Sequence, residues 1–257
     1  MRKVFYRFIR CTLWLIGTSL LLATCSKDSR KPIMVAVSSN MKPALTVVAA
    51  AFTAETGHSC ELVSASSGKL TAQIEAGAPY DLFLSADTVY PGRLYRNGFA
   101  LEPPVVYAYG QLIWWTKDST LDRASTPWSS PAIQRIAIAN PETAPYGLAA
   151  DEYLRQTGDY DLLRTKLVFG ESIAQATQFI QSGAAQVGIT TPSLLVSLPA
   201  SEQGYTLAID SLLYTPITQG VVRLRGDRPH LGRDAFYRYL FSDHAHNILT
   251  RYGYRIP

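Results

Sequence analysis

The sequence predicts an α/β protein with largely parallel sheets, and three observations carry that expectation. Short β-branched or apolar runs alternate with helix-period stretches from Ile33 to the C-terminus. Two of the early strands each feed a Ser/Asn-containing turn and then a helix. Glycines and prolines stand where those stretches should start and stop. At 257 residues with 47% hydrophobic content, the chain can bury one large core or two small ones.

The N-terminus reads as an export signal. Arg2, Lys3, Arg7 and Arg10 precede Leu13–Ala23, an apolar segment short for a membrane span. It ends Leu22-Ala23-Thr24-Cys25, which resembles a bacterial lipoprotein signal, although Thr24 is larger than the residue usual before the cysteine. The resemblance implies cleavage after residue 24 and lipidation of Cys25; the alternative is ordinary secretion with an unmodified Cys25. Residues 25–32 then form a short tether. Removing the leader takes much of the net charge of +4 with it. A near-neutral mature chain argues against a nucleic-acid groove.

Ile33–Val37 is the first strand, followed by Ser38-Ser39-Asn40. A helix begins near Pro43, whose missing N–H suits a first turn. Ala44, Val47, Val48, Ala51 and Phe52 make its apolar stripe, and Gly57 ends it. Cys60–Val63 is extended and leads into Ser64–Ser67 and Gly68. The next helix places Leu70, Ile74 and Ala78 on one face before Gly77 and Pro79 stop it, and Asp81–Leu84 reads as a buried strand. A strand feeding a Ser-Ser-Gly turn into a helix leaves unpaired N–H groups beside hydroxyls, a place for an anion. Plain N-capping by Ser66 or Ser67 is the competing reading. The upstream copy at Ser38–Asn40 favours the anion, because both helix starts lie where open α/β sheets bind ligands.

Val105–Trp115 is a long strand-like run containing Gly110. Ile136–Ala139 is a strand, Asn140–Gly147 a turn-rich loop, and the following helix has Leu148, Tyr153 and Leu154 as core candidates. Leu167–Phe169 and Val187–Thr190 are strands around the helix Ile173–Gln181. Leu207–Ile209 and Val221–Leu224 follow, and Ala235–Tyr252 is a final amphipathic helix with Phe236, Tyr239, Leu240 and Ile248 inward.

SSGKLTAQIEAGAPYDLFLSAD, with SSNMKPAL before it and NPETAPYG after it, resembles the periplasmic molybdate-binding proteins of ABC transporters. The similarity runs from about Ile33 to Tyr254. It implies a two-lobe periplasmic-binding-protein fold of type II-like kind, each lobe a mostly parallel sheet flanked by helices. Lobe 1 would be residues 33–109 with 216–257, lobe 2 residues 110–215, and the ligand would lie in the cleft. The ligand implied is molybdate, or tungstate, bound by Ser39, Asn40, Ser66, Ser67, Tyr146 and the backbone of Ile173. Some relatives carry serine where this chain has Asn40. Some place a binding tyrosine at the position of Thr191, so Thr191 is a further candidate, as is Lys69, which otherwise reads as a solvated first-turn lysine. The partners implied are the permease and ATPase of an ABC importer, with the protein in the periplasm or cell envelope.

Neutral donors aimed at its oxygens can hold a tetrahedral dianion without a buried cation. Sulfate, phosphate and ferric-type receptors are the alternatives within binding proteins. An enzyme with an oxyanion pocket is the alternative in another class, and no nucleophile–base pair accompanies these donors. Other constellations point to structure. Asp243, His244 and His246 do not share a helix face; Asp81 and Asp87 suit turns and caps; Trp114 and Trp115 suit core packing; Cys60 suits a buried thiol. No cofactor, catalytic residue or metal ligand is expected.

Overall fold

The computed structural model describes residues 31–118, 121, 128–226 and 231–257. The leader, Cys25 and most of the tether lie outside the described residues. Among the described residues no helix is long and apolar enough to cross a membrane.

The chain begins β1 (Ile33–Ser38), α1 (Lys42–Thr56), β2 (Cys60–Ala65), α2 (Ser67–Glu75), β3 (Leu82–Leu84), α3 (Val89–Arg96) and β4 (Val105–Tyr109). It then forms β5 (Ile113–Thr116), β6 (Ile136–Ala139), α4 (Pro145–Gln156), α5 (Tyr160–Leu163), β7 (Leu167–Gly170), α6 (Ile173–Gln181), β8 (Val187–Thr190), α7 (Pro192–Leu195) and β9 (Tyr205–Ala208). β10 (Thr218–Arg223), α8 (Leu231–Tyr239) and α9 (Asp243–Arg251) complete it.

Two five-stranded sheets result, ordered β2-β1-β3-β10-β4 and β7-β6-β8-β5-β9. In each, three strands joined through helical crossovers run parallel, as such connections require. β10 and β5 are the strands that arrive from the other sheet, and each pairs antiparallel on both sides. The sheets are therefore mixed, with the same plan in both lobes. The run Val105–Trp115 is two strands, one per sheet, because Gly110-Gln111-Leu112 carries the chain across.

β1 is buried on both faces, which accounts for its unbroken apolar run. Val35 and Val37 pack with Leu45, Val48 and Phe52, while Ala36 packs with Leu70 and Ile74. Local readings shift in four places. On α1, beside which α9 packs, the buried stripe takes in Leu45 and Ala49, and Val47 is 38% exposed. Leu148 is half exposed while Tyr153 and Leu154 are buried. Ala78 lies beyond α2, which stops before Gly77 at φ 88°, a left-handed conformation that glycine adopts without strain. The expected final helix is two. Ser242 Oγ donates to Tyr239 O at 2.7 Å and accepts from Ala245 N at 3.2 Å, closing α8 and capping α9 with one hydroxyl.

Candidate functional site

The carboxyl ends of β1 and β2 deliver the Ser38–Asn40 and Ser64–Ser67 loops to one place. Ser39 N–H donates to Ala65 O at 3.0 Å, which ties the loops together. From the second lobe, β6 leads to α4 and β7 leads to α6, bringing two helix N-termini opposite them. Ser39, Asn40, Ser66, Ser67, Tyr146, Ile173 and Thr191 are all buried.

Of the candidate hydroxyls, those of Ser67, Ser39 and Tyr146 have the oxygen occupied by a protein donor. Ser67 Oγ accepts from Ala86 N at 3.0 Å. Ser39 Oγ accepts from Ala174 N at 3.4 Å, across the cleft. Tyr146 Oη accepts from Gln219 Nε2 at 3.3 Å and Asn40 Nδ2 at 3.5 Å. An oxygen that accepts from the scaffold leaves its own proton for a further acceptor. Ser67 is the first residue of α2, and Ser66 holds the N-cap position without a side-chain cap bond. The capping reading of these two serines is therefore not what the structure has. Ile173 opens α6, whose cap is Ser172, with Gln175 N bonded to Ser172 Oγ at 3.3 Å. Among the described residues no acceptor takes the N–H of Ile173, Asn40 or Ser67.

The position of Tyr146 follows from small residues around it. Asn140 O accepts from Ala144 N at 2.9 Å, turning the loop into α4 at Pro145. A Cβ at Gly147 would run into the Ala139 carbonyl, and one at Gly110 would overlap the Tyr146 hydroxyl. Burial, then the neighbouring Tyr254, pushes the Tyr146 phenol well above its ordinary range, so it stays a protonated donor.

Asn40 differs from the expectation. Its amide nitrogen faces inward, to Gln219 Oε1 at 2.9 Å and Tyr254 Oη at 3.0 Å. The side chain is spent within the fold, and the donor it leaves over is its backbone N–H. Its Oδ1 is buried without a partner among the described residues. Its carbonyl accepts from Tyr254 Oη at 2.9 Å and Ser193 Oγ at 3.0 Å. Thr191 sits beside the Tyr146 hydroxyl, which it hydrogen-bonds, and beside Ser193 at 3.4 Å. Lys69 lines a cavity together with Ser66, and its ammonium pairs with Glu171 at 3.1 Å, both side chains more than half exposed.

The cavity, of about 310 Å³ between the lobes, is lined by this pair and by Ser64, Ser66, Ser172, Ala174 and Gln175 among others. Two more bonds span the cleft, Gly68 N–H to Thr143 O at 2.9 Å and Tyr90 Oη to Glu142 O at 3.1 Å.

Sequence reading missed Gln219, Tyr254, Tyr107 and Ser193, which hold Asn40 and Tyr146. A glutamine inside the apolar strand Thr218–Arg223, fully buried here, was the available signal.

The competing constellations are structural. Asp81 Oδ2 accepts from Met34 N, and Asp87 Oδ1 from Ser85 Oγ and Tyr90 N. Trp114 Nε1 donates to Tyr153 Oη and Trp115 Nε1 to Gln203 O, both inside the second lobe. Burial pushes the Cys60 thiol up to about 12, which keeps it from being a thiolate. His244 Nδ1 lies 2.8 Å from Glu55 Oε1. Among the described residues no three His, Cys, Asp or Glu side chains gather to hold a metal. No His, Asp or Glu side chain is bonded to the Ser39 or Ser67 hydroxyl there.

A family profile described as bacterial extracellular solute-binding protein matches residues 33–255. The molybdate-binding protein ModA of Rhodobacter capsulatus is 33% identical over 223 residues, 86% of this chain and 87% of that protein. The structure superposes on the periplasmic molybdate-binding protein of Azotobacter vinelandii with a TM-score of 0.83 at 32% identity, covering 88% of this chain and 99% of that one. The sulfate-binding protein SubI of Mycobacterium tuberculosis shares the fold at 15% identity, with a TM-score of 0.70 and coverage of 88% and 86%. With a profile match along nearly all of its described length, the chain belongs to the bacterial extracellular solute-binding proteins.

Proposed function

We propose that the protein captures molybdate, and tungstate with it, outside the cytoplasmic membrane and delivers it to the permease and ATPase of an ABC importer. Binding and delivery are its whole task, with no turnover. The observation that carries this reading is the state of the three hydroxyls. Ser39, Ser67 and Tyr146, drawn from both lobes, each accept from the scaffold and so have a proton to give. With the N–H groups of Asn40, Ser67 and Ile173 they make a buried set of neutral donors. Such a set suits a fully deprotonated tetrahedral anion, its charge spread over fixed dipoles. The named binding functions of the Rhodobacter and Azotobacter relatives support the same ligand.

In this reading the first lobe is residues 33–109 with 216–257 and the second is residues 110–215. β4 ends at Tyr109 and β5 begins at Ile113, which supports that division. Cys25 carries a lipid that holds the protein at the cell envelope. A Cys25→Ala chain that still partitions into detergent as the unaltered chain does would refute the anchor.

The unpartnered Asn40 Oδ1 favours one second reading, hydrogen phosphate, whose proton needs an acceptor. Calorimetric titration of the full chain with molybdate, tungstate, sulfate and phosphate tests both. Molybdate and tungstate are expected to bind tightly. Preferential binding of sulfate or phosphate, or no binding by any of the four, would overturn the assignment. Thermal unfolding gives a parallel reading: a ligand at about 100 times its dissociation constant adds roughly 2.7 kcal/mol when it binds only the folded state.

A further inference from the structure

The geometry points to Gln219 as the positioning residue that wires the two lobes' binding groups together and sets the direction of the Tyr146 proton. The inference rests on the oxyanion-binding reading and extends it to a residue outside the donor set.

Gln219 lies on β10, directly after the chain returns to the first sheet, where the pairing with β4 shifts register between Gln219 and Gly220. It is fully buried. Its Oε1 accepts from Asn40 Nδ2 at 2.9 Å and Tyr107 Oη at 3.3 Å. Its Nε2 donates to Tyr146 Oη at 3.3 Å. One amide thus touches the first-loop residue of one lobe and the tyrosine of the other.

The polarity of this wiring matters more than its strength. A phenol has one proton and can accept as well. Because Gln219 Nε2 donates to the Tyr146 oxygen, that proton turns away from the amide. Were the group facing it an acceptor, the proton would turn inward and the oxygen would present lone pairs to an anion. Tyr107 fixes the amide in its orientation by donating to Oε1. Tyr254 fixes Asn40 from the other side, donating to its carbonyl while accepting from its amide nitrogen.

Two substitutions test the assignment. Gln219→Met keeps most of the volume and removes both polar ends. Gln219→Glu is nearly isosteric and replaces the donor facing Tyr146 with an acceptor. Molybdate and tungstate titrations of the full chain are expected to show affinity reduced about tenfold in Gln219→Met. In Gln219→Glu the loss is expected to be about a hundredfold or more near pH 8, because the carboxylate takes the Tyr146 proton and adds like charge. Near pH 5.5, where a buried glutamic acid is protonated and can donate, part of that loss should return. A side chain that only supports the fold would lower the melting temperature without this pH-dependent rescue.

The Gln219→Met, Tyr146→Phe double variant should bind no more weakly than the weaker single one, since both changes disable one donor. Independent, multiplying losses would overturn the assignment, as would unchanged affinity in both Gln219 variants. Should Gln219→Met fail to fold, Gln219→Glu and its pH dependence decide alone. No heat from either oxyanion with the unaltered chain refutes the oxyanion reading and this assignment together. Heat with the unaltered chain and unaltered affinity in the variants refutes Gln219 alone.

Discussion

The backbone N–H of Gly68 donates to the carbonyl of Thr143 at 2.9 Å, joining the first turn of α2 to the loop that precedes Tyr146. This bond crosses the cleft with no side chain between, and a Cβ at position 68 would crowd the approach. A Cβ at position 68 would lie 2.8 Å from the Tyr90 hydroxyl and 3.0 Å from Thr143 O.

Gly68→Ala therefore separates closure from folding. Alanine favours a helix over glycine by up to about 1 kcal/mol, so the ligand-free chain should be as stable as before or more so. The added methyl group holds the lobes apart, and oxyanion affinity should fall by about tenfold or more. Titration calorimetry with solution scattering reads both consequences. Full affinity together with full compaction on ligand addition would show that this contact does not govern closure.

Lys69 gives the opposite expectation. Its pair with Glu171 is 3.1 Å long, but the side chains are 54% and 73% exposed. Exposed pairs contribute about 0–1 kcal/mol and weaken with salt. Lys69→Ala should change the dissociation constant by less than about threefold at physiological salt. A loss beyond about tenfold would move Lys69 into the binding set.

The buried tyrosines set the alkaline limit of the fold. Burial pushes Tyr254 up to about 12, and Tyr107 and Tyr146 are raised well above their ordinary value near 10.0. Below about pH 10 these phenols are protonated whether folded or unfolded, so they make no difference. Above it the unfolded chain releases protons that the folded chain retains, and stability falls as pH rises. Urea midpoints should be level between about pH 8 and 9 and drop steadily toward pH 11. A midpoint unchanged at pH 11 would contradict the burial of these hydroxyls.

How much of this was legible in the sequence depends on the range of each interaction. Strand runs such as Ile136–Ala139 and helix starts such as the one near Pro43 rest on neighbouring residues, and those were readable, whereas α4 begins at Pro145, inside the stretch expected to be loop. The serine loops were readable for the same reason, since each follows its strand directly. The inward turn of the Asn40 amide was not, because Gln219 and Tyr254 lie 179 and 214 positions away. No local pattern announces such partners. The break between α8 and α9 shows a local signal overlooked: apolar spacing continues through Leu240 and Phe241, yet one hydroxyl of Ser242 closes one helix and caps the next. On α1 both Val47 and Val48 fit an apolar stripe, and only packing chooses between them.

Ser67→Ala and Tyr146→Phe test the donor set itself. Both remove one hydroxyl with little change in shape, and both leave a protein donor unmatched. Ala86 N loses its acceptor in the first, and Gln219 Nε2 loses its acceptor in the second. Each variant should therefore lose folding stability of about 1–3 kcal/mol, the usual cost of an unsatisfied buried group. Stability alone cannot distinguish a binding hydroxyl from a structural one, but affinity can. A charge-assisted bond to a dianion contributes about 1.5–3 kcal/mol, so each variant should bind molybdate on the order of tenfold to a hundredfold more weakly. Tyr146 lies on the second lobe, so its loss should also reduce the compaction that scattering records on ligand addition, whereas Ser67→Ala should bind weakly yet still close at saturation. Lowered melting temperatures with unchanged affinity would mean these hydroxyls serve only Ala86 and Gln219. Thr191, buried beside the Tyr146 hydroxyl, would then be the next residue to replace.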